Sequence, residues 1–79
     1  MHELLVAADL LSKGFAVFRA LSPACSCDLA IIEGKRLRRV EVTTGYKGMS
    51  GRISYPTKDP ATYDVLAVVI DTKIVYFNL

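Results

Sequence analysis

The feature that most constrains the fold is a change of hydrophobic period at Gly14. From Glu3 to Lys13 the apolar residues Leu4, Leu5, Ala7, Ala8, Leu10 and Leu11 recur at helical spacing, and Gly14 follows as a C-terminal stop. Beyond it every apolar run is short, β-branched or aromatic, which is strand chemistry. Phe15 to Ala20 reads as a strand closed by a loop at Ser22-Pro23. Asp28 to Glu33 and Leu37 to Thr44 read as a hairpin turning at Gly34-Lys35. Tyr63 to Ile70 and Ile74 to Phe77 form a second hairpin turning at Asp71-Thr72-Lys73. Between the hairpins, Gly45 to Thr62 holds three glycines and two prolines without sustained periodicity, so it reads as a long loop or short irregular excursion, of the length that in compact domains tends to serve function. The expected fold is α/β: an N-terminal helix packed on a mixed sheet of about four or five strands.

With 79 residues there is room for a single domain over residues 1–79. At 52% hydrophobic and 23% charged residues, the chain is expected to form a packed core, with Leu4, Leu5, Ala8, Leu11, Val17, Leu29, Ile31, Val40, Val42, Leu66 and Val68 supplying most of it. The longest apolar run, Val65 to Ile70, falls far short of the roughly 20 residues of a bilayer span, so no membrane association is expected. The start lacks a basic secretory pattern, and Cys25 and Cys27 stand too close together for an unstrained disulfide, which suggests a reducing, cytoplasmic setting.

Chemistry concentrates on two strands. Along Leu37 to Thr44 the period of two puts Leu37, Arg39, Glu41 and Thr43 on one face and Arg36, Arg38, Val40 and Val42 on the other. Asp28 opens the neighbouring strand, so Asp28 and Glu41 can offer oxygen ligands to one hard cation such as Mg²⁺ or Mn²⁺, which keeps water in the rest of its shell. Two acids near strand ends are also commonly solvated or paired with arginine.

The order of elements adds to this pattern. Glu3 in an N-terminal helix, Leu10-Leu11-Ser12-Lys13-Gly14-Phe15-Ala16-Val17-Phe18, Cys27-Asp28-Leu29-Ala30-Ile31-Ile32, Leu37-Arg38-Arg39-Val40-Glu41-Val42-Thr43-Thr44 and the two closing strands together resemble the PD-(D/E)XK nuclease superfamily. Within it, the small Holliday-junction-resolvase-like and group I intron homing-endonuclease-like domains are the most similar. The resemblance implies a minimal restriction-endonuclease-like core and metal-dependent hydrolysis of DNA phosphodiester bonds. It carries the first metal-binding aspartate onto Asp28, the second acid onto Glu41, the helix glutamate onto Glu3 and the family's lysine onto Thr43. That last position departs from the family: a threonine hydroxyl offers a neutral hydrogen bond where a charge is expected. Loss of one such electrostatic group costs on the order of 3 kcal/mol, or about a hundredfold in rate. Lys47, four residues on, is a candidate to replace the missing charge, and Arg19 another. The alternative function is a degenerate nuclease-fold domain that binds nucleic acid or a protein partner without cutting, and a third is a purely structural module.

Other residues carry paired readings. Glu3 is either an accessory ligand or an acid complementing the helix dipole. Lys35, Arg36, Arg38 and Arg39, with Lys47 and Arg52, are candidate DNA-backbone contacts in a chain of net charge only +2; the hairpin charges equally suit a solvated turn that protects a strand. Tyr46, Tyr55 and Tyr63 suit base stacking or rim packing. Cys25-Ser26-Cys27 and the single His2 do not make up a tetrahedral zinc set. A homo-oligomer formed through a sheet edge or helix face would extend a DNA footprint.

Overall fold

The computed structural model describes residues 2–19, 28–56 and 59–79. The Ser22-Pro23 loop and the Cys25-Ser26-Cys27 segment lie outside the described residues. Helix α1 (His2–Ser12) is followed by β1 (Ala16–Arg19), β2 (Leu29–Glu33), β3 (Arg36–Thr44), the short strands β4 (Tyr46–Lys47) and β5 (Ile53–Ser54), a 3₁₀ turn at Pro60–Thr62, β6 (Val65–Ile70) and β7 (Lys73–Phe77). The helix stops where the sequence predicts. Gly14 takes φ +93°, its N–H donates to the Leu11 carbonyl, and the Phe15 N–H reaches back to the Leu10 carbonyl, the paired bonds of a Schellman ending.

Five strands form one mixed sheet in the order β1-β2-β3-β6-β7, with β3 and β6 parallel and the other neighbours antiparallel. The β2–β3 and β6–β7 hairpins pair Glu33 with Arg36 and Ile70 with Lys73, leaving two-residue turns. Each turn has positive φ at its first central residue, Gly34 at +63° and Asp71 at +54°, as a hairpin-compatible II′ turn requires. A parallel β3–β6 pair needs a crossover. Residues 45–64 supply it, and here the expected irregular loop contains a two-stranded β4–β5 ribbon and the 3₁₀ turn.

One sheet face carries the main core. Leu29, Ile31, Val40, Val42, Val65, Ala67 and Val69 pack with Val6 and Leu10 of α1, flanked by Phe15, Val17, Ile74 and Tyr76. Of the strand residues expected in the core, Leu29, Ile31, Val40 and Val42 are buried here, Val17 is partly buried beside them, and Leu66 and Val68 are buried on the opposite face, but four helix residues are not buried. Leu4 is 56% exposed, Leu5 40% and Leu11 58%, and Ala8 is also exposed. The helix is apolar almost all round, so its period alone does not select the inward stripe. Polar contacts fit the observed rotation: Tyr76 donates its hydroxyl proton to Asp9, Lys13 lies 5.9 Å over the Tyr76 ring, and His2 Nδ1 lies 2.7 Å from Thr44 Oγ1. With those groups facing the sheet, Val6 and Leu10 turn inward and the row Leu4, Ala8 and Leu11 turns outward.

On the opposite face Leu66 and Val68 are buried together with Glu41 and Thr43. The crossover approaches this face. A Cβ at Gly45 would meet Val68 Cγ1 at 2.5 Å and the Ser54 carbonyl oxygen at 3.0 Å, and the Tyr55 ring lies 5.6 Å from that of Phe77. Among the described residues no helix is long and apolar enough to cross a membrane.

Candidate active site

Strand β3 builds two environments at once. Val40 and Val42 point into the helix-covered core, and the alternate residues Glu41 and Thr43 point to the other face, where they are 6% and 7% exposed. Next to them β2 begins. The Asp28 N–H donates to the Val40 carbonyl at 3.2 Å, and the Asp28 carboxylate accepts the Val42 N–H at 2.9 Å. Leu29 pairs with Val40, and extending that register by one residue sets Asp28 opposite Glu41. The backbone bond fixes one carboxylate oxygen of Asp28 against β3.

The start of α1 meets the far end of β3 in a neighbouring recess, which neither Asp28 nor Glu41 lines. A cleft of about 480 Å³ is lined by His2, Glu3, Val42, Thr43, Thr44 and Pro56. Glu3 and Thr43, forty residues apart in sequence, thus share one recess. The Glu3 carboxyl is held below its usual value, chiefly by a hydrogen bond from its own backbone and in smaller part by the charge of Arg19. His2 is the residue that sequence reasoning did not place here. Its one signal was its position beside Glu3 at a helix start; the contact that seats it, from its ring to Thr44, joins residues 42 apart.

Lys47 points elsewhere, lining a second cleft with Ile53, Ile70 and Lys73. Of the basic run, Arg38 donates to Glu33 at 3.4 Å and to the Asn78 carbonyl, while Arg39 pairs with Asp64 at 3.2 Å and donates to the Ala61 carbonyl at 3.0 Å. Asp64 also accepts the Arg39 N–H at 2.8 Å, and these contacts with Arg39 lower its carboxyl pKa. Arg39 therefore fastens the end of the crossover to β3. Lys35 and Arg36 are exposed at the β2–β3 turn, and Arg52 is exposed beside β5. Tyr46 is 67% exposed, whereas Tyr55 packs on Phe77.

Two adjacent carboxylates, one already holding a backbone N–H, suit a hard divalent ion that retains most of its water. They do not make a closed protein cage: among the described residues no three His, Cys, Asp or Glu side chains converge on a metal position.

No protein-family model matches the chain, and no curated protein sequence matches it significantly. Among solved structures it is similar to a bacterial homing endonuclease, I-Ssp6803I, with a TM-score of 0.74 and 16% sequence identity over 95% of this chain. At that identity the likeness establishes a nuclease-type fold. This chain spans 62% of the length of that neighbour.

Proposed function

We propose that this chain is a cytoplasmic Mg²⁺- or Mn²⁺-dependent DNA endonuclease domain of the PD-(D/E)XK type, with Asp28 and Glu41 as the metal-holding carboxylates and Glu3 as an accessory acid. The observation that carries the reading is the seating of Asp28 against β3 opposite Glu41, beside the cleft shared by Glu3 and Thr43, in a fold similar to that of a homing endonuclease. A bound divalent ion would supply a polarised phosphoryl oxygen and an acidified water. The chain's own part is positional. The Val42 N–H orients Asp28, burial restrains Glu41, and Thr43 offers a hydroxyl hydrogen bond where the superfamily has an ammonium. A neutral donor stabilises developing phosphorane charge less than a cation does, so slow turnover is expected. Lys35, Arg36 and Arg52 would contact the DNA backbone.

The outward row Leu4, Ala8 and Leu11 supports a homo-oligomer, since these residues follow the 4–3 spacing of a helix–helix seam. Light scattering of the parent and of Leu4→Glu would test it.

The test of function is cleavage of plasmid and branched DNA with Mg²⁺ or Mn²⁺, alongside Mn²⁺ titration. Asp28→Asn, which retains an acceptor for the Val42 N–H, should abolish both metal binding and cleavage. Unchanged Mn²⁺ affinity in that variant would remove Asp28 as a ligand. Retained DNA binding with no cleavage by the parent or by Thr43→Lys would leave the non-cutting binder as the correct reading.

A further inference from the structure

The β4–β5 ribbon is not accounted for by the catalytic reading. It pairs Tyr46 with Ser54 and Lys47 with Ile53, and its tip is Gly48-Met49-Ser50-Gly51-Arg52. The tip is closed by the Gly48 N–H donating to the Arg52 carbonyl at 2.7 Å and by the Gly51 N–H donating to the Gly48 carbonyl at 3.0 Å. Gly51 holds φ +83°, a conformation L residues rarely adopt. This ordered turn projects Met49 completely into solvent, at 109% of its reference exposure. Next to the tip, Lys47 and Ile53 line a cleft of about 400 Å³ together with Ile70, Asp71 and Lys73. Tyr46 and Arg52 are exposed along the ribbon.

We propose that this ribbon is a minor-groove probe for duplex DNA, with Met49 entering between base steps and Lys47 and Arg52 on flanking phosphates. The inference rests on the DNA-acting reading and names the element that grips the duplex. Exposed single apolar residues are ordinary on protein surfaces. Here, however, the side chain stands at the apex of a hydrogen-bonded two-stranded turn with cations on both sides. Methionine is one of the apolar wedges that unstack a base step, and burial of its thioether chain offsets part of the unstacking cost. Gly48 and Gly51 bear no side chain to hold the backbone away from the groove walls; space is open around Gly51, and a Cβ at Gly48 would lie 3.6 Å from the Arg52 carbonyl oxygen of the same turn. The basic pair supplies the sequence-independent attraction that brings the tip to the groove.

The test is fluorescence anisotropy across a salt series, using a duplex with 2-aminopurine at its flexible pyrimidine–purine steps. Lys47→Ala and Arg52→Ala should each reduce the log–log salt slope by about 1. Met49→Ala should leave the slope unchanged, weaken binding roughly tenfold and remove the 2-aminopurine increase; Met49→Leu should keep it. Because Met49 touches no core residue, unchanged thermal unfolding of each Met49 variant serves as the folding control. Parent-like affinity and parent-like 2-aminopurine response in Met49→Ala would overturn the probe while leaving DNA binding intact. Failure of the parent to bind the duplex at any salt concentration would overturn both readings together.

Discussion

Replacing Leu10 and Leu11 by alanine, one at a time, tests the rotation of α1. Leu10 is fully buried against the sheet and Leu11 is 58% exposed on the far side of the helix. A buried Leu→Ala change costs about 2–5 kcal/mol through lost transfer energy and a residual cavity. Chains of this length have a total stability of about 4–12 kcal/mol, so Leu10→Ala removes a large fraction of it. At about 4–8 °C per kcal/mol, a cost near 3 kcal/mol lowers Tm by roughly 12–24 °C. Leu11→Ala loses little packing and keeps a good helix former, so its cost should stay within about 0.5 kcal/mol and a few degrees. Thermal unfolding followed by circular dichroism gives both values, and repeating it at several protein concentrations separates any contribution of self-association at Leu11. Equal losses for the two variants at the lowest concentration would refute the helix orientation, and with it the placement of Glu3 beside Thr43.

Other consequences are equally direct. Gly45→Ala forces a Cβ against Val68 and the Ser54 carbonyl and should cost about 1–3 kcal/mol in urea unfolding; a neutral result would contradict the close crossover. Thr43→Lys should raise the cleavage rate by about a hundredfold, and the double variant with Asp28→Asn should stay inactive. Tyr76 donates to Asp9, which, with Lys13, lowers the Asp9 pKa; stability from this pair should be complete above the unfolded aspartate value and decline as pH falls through the lowered folded value. The Tyr76 pKa is raised by burial and by Asp9, so its share is present below the ordinary tyrosine value and is lost as pH rises beyond it. Tyr76→Phe should flatten both limbs of the stability–pH curve.

The elements were legible because each declares itself locally. Gly14 ends a helical period, Gly34 sits where a two-residue hairpin needs positive φ, and the alternation from Leu37 to Thr44 correctly separates Val40 and Val42 from Glu41 and Thr43, whereas the second turn, expected over Asp71-Thr72-Lys73, is Asp71 and Thr72 alone, with Lys73 already paired to Ile70. The inward face of α1 was not legible, because leucine and alanine occupy nearly every side of it and the contacts that accompany its rotation join residues 42 and 67 apart. Arg39 shows the same limit. Its place in a basic run suggests a phosphate contact, but its hydrogen bonds go to Asp64 and Ala61, which the sequence separates from it by 25 and 22 residues. The ribbon escaped notice because each of its strands has only two residues, too few to display a period.

The same contacts link stability to the candidate site. Glu3 precedes the first buried turn of α1, so the packing of Val6 and Leu10 and the His2–Thr44 contact together place its carboxylate at the end of β3. Thr44 follows Thr43 directly, and the Thr43–Val68 and Thr44–Val69 pairs anchor that end of β3 to β6. A substitution that loosens the helix start should therefore move Glu3 relative to Thr43 without altering Asp28, whose orientation comes from the Val42 N–H within the sheet. His2→Ala separates these contributions. It should leave Mn²⁺ binding through Asp28 and Glu41 nearly unchanged while lowering whatever part of cleavage depends on Glu3. A loss of Mn²⁺ affinity in His2→Ala as large as that in Asp28→Asn would instead show that the helix end belongs to the metal-holding unit itself.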